Sequence, residues 1–185
     1  QVIACEDPTS SGQRNWNLFW RGGVNSFYFV VHNTNLSIAS AQSVGVTPNS
    51  GQWIHILATY DGTANANGIK LYIDGVLNAQ GTASSTGLNS FTGSEPNIGR
   101  LTGQNQWNFE GNIDDVAVWN SELSASDANA IGSTIPTDLT SYSPLSWWRM
   151  GDGSTYPTIN DLGSGSNDGT MTNMSSANFV TDVPT

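Results

Sequence analysis

The sequence predicts an all-β sandwich or barrel, and three features of its 185 residues carry that prediction. Apolar residues recur at every second position or in short runs, the periodicities of half-buried and fully buried strands. The runs are cut by turn residues, among them the Asx-Gly pairs Asp61-Gly62, Asn67-Gly68 and Asp74-Gly75, which supply the positive φ that tight hairpins need. Only one segment, opening at Ser124, carries a helix start signal.

Taken in order, Trp16 to Trp20 alternates and breaks at Gly22-Gly23, and Ser26 to His32 is aromatic and β-branched throughout. Asn35 to Ala39 is a short strand, and no strand is legible before residue 16. Trp53 to Tyr60 is apolar on both faces, as expected of a central strand buried between layers. Ile69 to Ile73 and Val76 to Ala79 flank the Asp74-Gly75 turn, residues 81 to 94 read as a loop, and Asn97 to Leu101 and Phe109 to Trp119 read as strands. Ser124 and Asp127 have the spacing of a capping box, with Leu123 and Ile131 as apolar anchors of a short helix. Pro136 to Pro144 breaks the pattern, and a Trp147-Trp148 strand follows, with one ring expected on each face and one of them buried. A Gly-, Ser-, Asn- and Asp-rich stretch then runs to Thr172.

Composition excludes several functions. Fifteen acids against five bases give a net charge of −10. The bases, Arg14, Arg21, Lys70, Arg100 and Arg149, are scattered singly, so neither nucleic-acid phosphate nor an anionic membrane is a partner. No run approaches the ~18 apolar residues of a membrane span. Cys5 is the lone cysteine and forms neither an internal disulfide nor a cysteine zinc site. With 11% charged but 10% aromatic residues, the chain is an ordered, neutral-polar, acidic domain of the kind that suits extracellular and virion surfaces.

At this point a family resemblance enters. Trp53-Ile-His-Ile-Leu-Ala-Thr-Tyr-Asp-Gly62, Lys70-Leu-Tyr-Ile-Asp-Gly-Val-Leu77 and Asn97-Ile-Gly-Arg100 resemble consecutive motifs of laminin-G-like (concanavalin A-like) domains. Phe109-Glu-Gly-Asn-Ile-Asp-Asp-Val-Ala-Val-Trp-Asn120, with Leu123-Ser124, is similar to their closing strand and short helix. The resemblance covers roughly residues 16 to 132 and implies a two-sheet antiparallel jelly roll with one short helix. Family members open with strands that this chain lacks before residue 16. Ser146-Trp-Trp-Arg-Met-Gly-Asp-Gly153, Asn160-Asp161 and Ser166-Asn-Asp-Gly-Thr170 resemble such an opening segment, placed here at the end. Similar tails occur on laminin-G-like proteins of marine phages. The expected organisation is a sandwich over residues 1–135, a linker over 136–145, and a segment over 146–185. That last segment completes this sandwich, or a neighbouring copy's by strand addition.

The chemistry-bearing residues are few. A glycosidase needs two carboxyl groups about 5 to 9.5 Å apart, and retaining glucanases of the related fold carry Glu-x-Asp-x-x-Glu. The glutamates Glu6, Glu95, Glu110 and Glu122 do not have that spacing, and Asp114-Asp115 matches a non-catalytic family motif, so no enzyme is expected. His32 and His55 lie within strands and lack metal-site spacing. Calcium is the one cofactor that the resemblance brings in, with Asp61, Asp152, Asp161 and Asp168 as candidate ligands; ordinary Asx-turn chemistry is the competing account. Glycan binding would rest on tryptophans among polar neighbours: Trp16, Trp20 and Trp107, with Asn105 and Asn108, and with Tyr156 further on. Trp53 and Trp119 fall at core positions of the family motifs. Asn35-Leu-Ser37 and Asn173-Met-Ser175 are glycosylation sequons.

The expected function is therefore recognition, by a lectin-like module on a virion or cell surface whose partners are glycans or surface proteins. The alternative is an assembly subunit (capsid decoration, fibre or filament) that forms homo-oligomers through strand addition. Fold alone does not choose between them.

Overall fold

The computed structural model describes residues 1–6, 14–33, 36–49, 51–84, 86, 88, 95–101, 107–134 and 138–184. They fall into two compact units, Gln1–Gly111 and Asn112–Thr185. All strand pairings are antiparallel, and among the described residues there is one α-helix, as the sequence predicts. No helix among them is long and apolar enough to cross a membrane.

The first unit holds two sheets. One has five strands: β1 (Val2–Glu6), β2 (Trp16–Arg21), β3 (Ser26–Asn33), β4 (Leu36–Gln42), then β5 (Ile56–Tyr60), β6 (Ile69–Ile73) and β7 (Val76–Gly81) forming the other sheet, before β8 (Asn97–Ile98) returns to the first. The five-stranded order is β4-β3-β2-β1-β8 and the three-stranded order is β5-β6-β7. The β2–β3 register sets Trp16 beside Val31, Leu18 beside Phe29 and Trp20 beside Phe27. Paired residues share a face and successive residues alternate, so these six point together. Phe27, Phe29 and Val31 join Ala39 and Ala41 of β4 and Ile69 and Leu71 of β6 in one buried cluster, against which Trp16, Leu18, Trp20, Ile56, Ala58 and Tyr60 pack. The opposite face of β2–β3 carries Phe19 stacked on Tyr28, ring centroids 5.3 Å apart.

The β6–β7 hairpin turns at Asp74 and Gly75, with φ of 49° and 76°. Two successive positive φ values match the right-handed strand twist. The Asp74 carboxylate accepts the His55 N–H at 2.9 Å, which ties the turn to the start of β5.

The second unit contains β9 (Val116–Val118), the helix α1 (Ala125–Gly132), β10 (Ser146–Trp148), β11 (Thr158–Ile159) and β12 (Gly169–Thr170). Both halves of the expected capping box form: the Ser124 hydroxyl accepts the Asp127 N–H, and the Asp127 carboxylate accepts the Ser124 N–H. Strand β10 pairs with β9, so residues on both sides of the expected linker lie in one small sheet.

Several expectations need correction. A strand does precede residue 16: β1 pairs with both β2 and β8. Residues 53–55 lie outside β5, which stands at the end of its sheet order rather than at the centre. The expected strand over Phe109 to Trp119 shrinks to Val116–Val118, because Gly111 (φ 155°) and Asp115 (φ 47°) turn the chain. Both Trp147 and Trp148 are buried. Each indole N–H finds an acceptor, Asp115 Oδ1 for Trp147 and the Asn167 carbonyl for Trp148, which removes the cost of burying it.

His32 of β3 is 7% exposed, with Nε2 3.2 Å from Asn17 Nδ2. Burial, and then the charge of Arg14, push its pKa down from 6.5 to about 4. The unfolded chain therefore binds the proton first, and stability falls as pH drops from about 6.5 towards 4. At about 1.4 kcal/mol per pH unit the loss is of the order of 2–3 kcal/mol. Urea denaturation at pH 7.5, 5.5 and 4 is expected to show a steeper loss in the wild type than in His32→Gln, which keeps an acceptor for Asn17; parallel curves would remove His32 as the cause.

Candidate functional site

Among the described residues Trp107 is the one exposed tryptophan, at 56%. Its φ of 70° lies in the left-handed region, which is rare for a bulky side chain and occurs where neighbouring structure imposes it. Two backbone bonds flank it: the Val2 N–H of β1 bonds the Trp107 carbonyl at 2.7 Å, and the Phe109 N–H bonds the carbonyl of Gly99, just after β8, at 2.8 Å. The backbone is held while the indole faces outward. Asn108 and Glu110 are exposed beside it, and Gln1 Nε2 donates to Glu110 Oε2 at 3.3 Å. An open indole face with an amide and a carboxylate nearby can stack on the apolar face of a sugar and bond its hydroxyls.

The other predicted aromatics are placed differently. Trp16 and Trp20 pack against the core cluster, and Trp20 also leans on Phe27 with ring centroids 4.7 Å apart. Tyr156 is exposed in the second unit, its hydroxyl donating to the Met174 carbonyl. Asn105 lies outside the described residues, as does Asn35 of the first sequon. Glu110 and Gln1 were not foreseen beside Trp107; alternation had placed Glu110 within a strand, and nothing local marks Gln1.

The four candidate metal ligands are engaged within their own units. Asp61, in the first unit, accepts the Thr63 N–H and hydroxyl on one oxygen, both at 2.8 Å; the Thr63 amide holds its carboxyl below the usual carboxylate range. In the second unit Asp161 Oδ1 accepts from the amides of Trp147 (2.7 Å) and Gly163 (2.8 Å), and Oδ2 from Asn167 (2.8 Å). Burial would raise the Asp161 carboxyl, but these amides hold it down. Asp168 accepts the Asp161 N–H at 2.9 Å, and Asp152 pairs with Arg149 at 2.6 Å. Among the described residues no group of three His, Cys, Asp or Glu is arranged to hold a metal ion. Calcium takes six to eight oxygen ligands, and Asp161 already accepts amide hydrogens on both of its oxygens.

Asp115, Trp147, Arg149 and Asp152 make a second polar cluster. Asp115 accepts the Trp147 indole N–H at 3.0 Å and lies 3.7 Å from Arg149 Nε, while the guanidinium sits 5.7 Å from the Trp147 ring centroid. Burial, and next the charge of Asp115, raise the Asp114 carboxyl. Its amide neighbour still bonds it, with the Asp115 N–H donating to Asp114 Oδ1 at 3.0 Å. The pair thus organises backbone and anchors an indole.

Two outcomes follow. Melting temperature should not move on adding EDTA or millimolar calcium, since ligand binding to the native state alone would raise it. Because the Asp114 carboxyl is raised in the folded state, its contribution is complete at acid pH and lost as pH rises through its folded value. Asp114→Asn should therefore raise the melting temperature at pH 7 and leave it unchanged near pH 3; equal shifts at both would rule out the charge as the cause.

Comparison with known proteins agrees with this architecture. No curated protein and no solved structure matches the chain. Residues 1–129 match the laminin-G-like family model described as the concanavalin A-like lectin/glucanases superfamily. The match includes β1, the stretch in which the motifs at 53–77 and 97–120 left no sign of the family. The chain belongs to the concanavalin A-like lectin/glucanases superfamily.

Proposed function

We propose that this chain is a non-catalytic carbohydrate-recognition module, with Trp107 as the stacking platform and Asn108 and Glu110 as hydrogen-bonding partners. The observation that carries it is the exposed indole of Trp107, at 56%, held in a left-handed backbone by strand β1. Superfamily membership supports a sugar as ligand. Against catalysis stand the missing Glu-x-Asp-x-x-Glu spacing and the structural engagement of Asp115 and Asp152.

The module works outside the cell or on a virion surface, and its partners are glycans or glycosylated surface proteins. The neutral-polar, acidic composition supports that location. Segment 146–185 supplies strand β10, which pairs with β9 of the same chain within the second unit.

Truncating a central aromatic anchor costs about 2 kcal/mol, or roughly 30-fold in Kd. Glycan-array screening of the full chain, followed by calorimetry on the best ligand, is expected to show saturable binding that Trp107→Ala weakens by roughly that factor. Val76→Ala, on an exposed residue of β7, should leave it unchanged. Equal binding by Trp107→Ala would overturn the assignment. Polysaccharide hydrolysis abolished by Asp114→Asn would overturn the non-catalytic reading.

A further inference from the structure

In the first unit five strands face three, and among the described residues the sandwich is closed along the side where β4 and β7 meet. Asn78 of β7 accepts the Val44 N–H at 2.8 Å and donates to the Val44 carbonyl at 3.1 Å. A Cβ on Gly81 of β7 would run into the Ser40 carbonyl of β4. Away from that side, Ile3 of β1, Leu18 of β2, and Ile56 and Ala58 of β5 pack on the core cluster but stay partly exposed, whereas Ile69 and Leu71 of β6 are sealed.

The two sheets end at β4, β8, β5 and β7. The first and last of these close on each other, and β8 has only two residues. Strand β5 has five, in unbroken register with β6, and no charge, proline or bulge guards it as sheet edges usually are guarded. The Asp61 N–H bonds the Gly68 carbonyl and the Asp74 N–H bonds the His55 carbonyl, both at 2.9 Å. Odd-numbered residues therefore exchange bonds with β6, and Ile56 and Ala58 turn their N–H and C=O groups the other way. Among the described residues no strand receives them.

Such an edge takes an extended backbone, and its own sequence matches it. Paired antiparallel about Ala58, Ile56-Leu-Ala-Thr-Tyr60 sets Ala58 opposite Ala58 and Ile56 opposite Tyr60. The outward groups of one copy then meet those of the other, and the core-facing side chains of both lie on one face. Just beyond the strand, the same register sets Asp61 opposite His55 at each end. In a chain with fifteen acids and five bases, that pairing of a carboxylate with an imidazole favours a second copy over an arbitrary acidic strand.

We propose that the open edge of β5 binds the same edge of a second copy, giving a two-fold dimer with a continuous six-stranded sheet. This surface is separate from Trp107 and does not depend on the carbohydrate reading. Sedimentation of the full chain across the micromolar to millimolar range tests it, with amide hydrogen exchange followed by NMR at both ends of that range. The expected result is a reversible dimer whose formation slows exchange at Ile56 and Ala58. His55→Asp sets acid against acid and should weaken dimerisation by roughly 2- to 30-fold, while His55→Lys should not weaken it. A monomer at every concentration, a dimer in which both amides exchange fast, or protection already complete in the monomer would each overturn the proposal. So would equal dimerisation by the two variants; the exchange measurement on the wild type stands whether or not they fold.

Discussion

The constraint on which the first unit depends is the alternation of β3. Phe27, Phe29 and Val31 are committed to one face, and fully burying each such side chain is worth about 1.5–3 kcal/mol. A slip of one residue would turn all three outward and bring Tyr28, Val30 and His32 in. The β2 register follows from it, since Trp16, Leu18 and Trp20 must meet those same residues, and so does the approach of Ile69 and Leu71 from the second sheet. With one face thus assigned, Asn17 and His32 are left on the other, where the Asn17 amide meets His32 Nε2 at 3.2 Å.

A second, polar order governs the aspartates. Asp61, Asp74, Asp138, Asp161 and Asp168 each accept a backbone N–H. Hydrogen bonds to a charged acceptor are roughly twice as strong as neutral ones, and they suit loops that lack ladder partners. Asp161 takes three amides and so fixes residues 161–167 against the start of β10. Gly163 is required there, since a Cβ would meet the Leu145 carbonyl and Ser146 Cα at 2.5–2.6 Å. Five of the fifteen acidic residues behind the net charge of −10 are these turn-forming carboxylates.

Strands with strong period-two patterning were legible in the sequence: β2, β3, β6 and β7 lie where alternation and Asx-Gly turns place them. Strand β1 was not, because Val-Ile-Ala-Cys-Glu is short and its partners are β2 and the distant β8. Residues 109–115 misled in the opposite way, since their apolar alternation is real but positive φ at Gly111 and Asp115 stops a ladder. Trp147 and Trp148 show the limit of a face-by-face argument: strand alternation sends them to opposite sides, and whether both sides are covered is a tertiary fact. For the candidate site, Trp107 and Asn108 could be named from polar context. Trp16 and Trp20 shared that context yet pack on the core, and only the β2–β3 register distinguishes the two cases.

The same missed strand explains why the backbone that carries the exposed indole is held in place. A tryptophan on a flexible loop would have to be ordered on binding, at about 0.5–1.5 kcal/mol for its side chain and more for its backbone. Trp107 has its carbonyl bound to Val2 and its neighbour Phe109 bonded to Gly99, while Ala4 and Cys5 of β1 pair with Ile98 and Asn97 just upstream of Gly99. One short strand therefore holds the backbone on both sides of the segment that leads to the indole. The backbone at Trp107 is ordered by folding itself, with its left-handed φ held among sheet contacts. An exposed side chain carried on such a backbone needs less ordering of its main chain on meeting any partner.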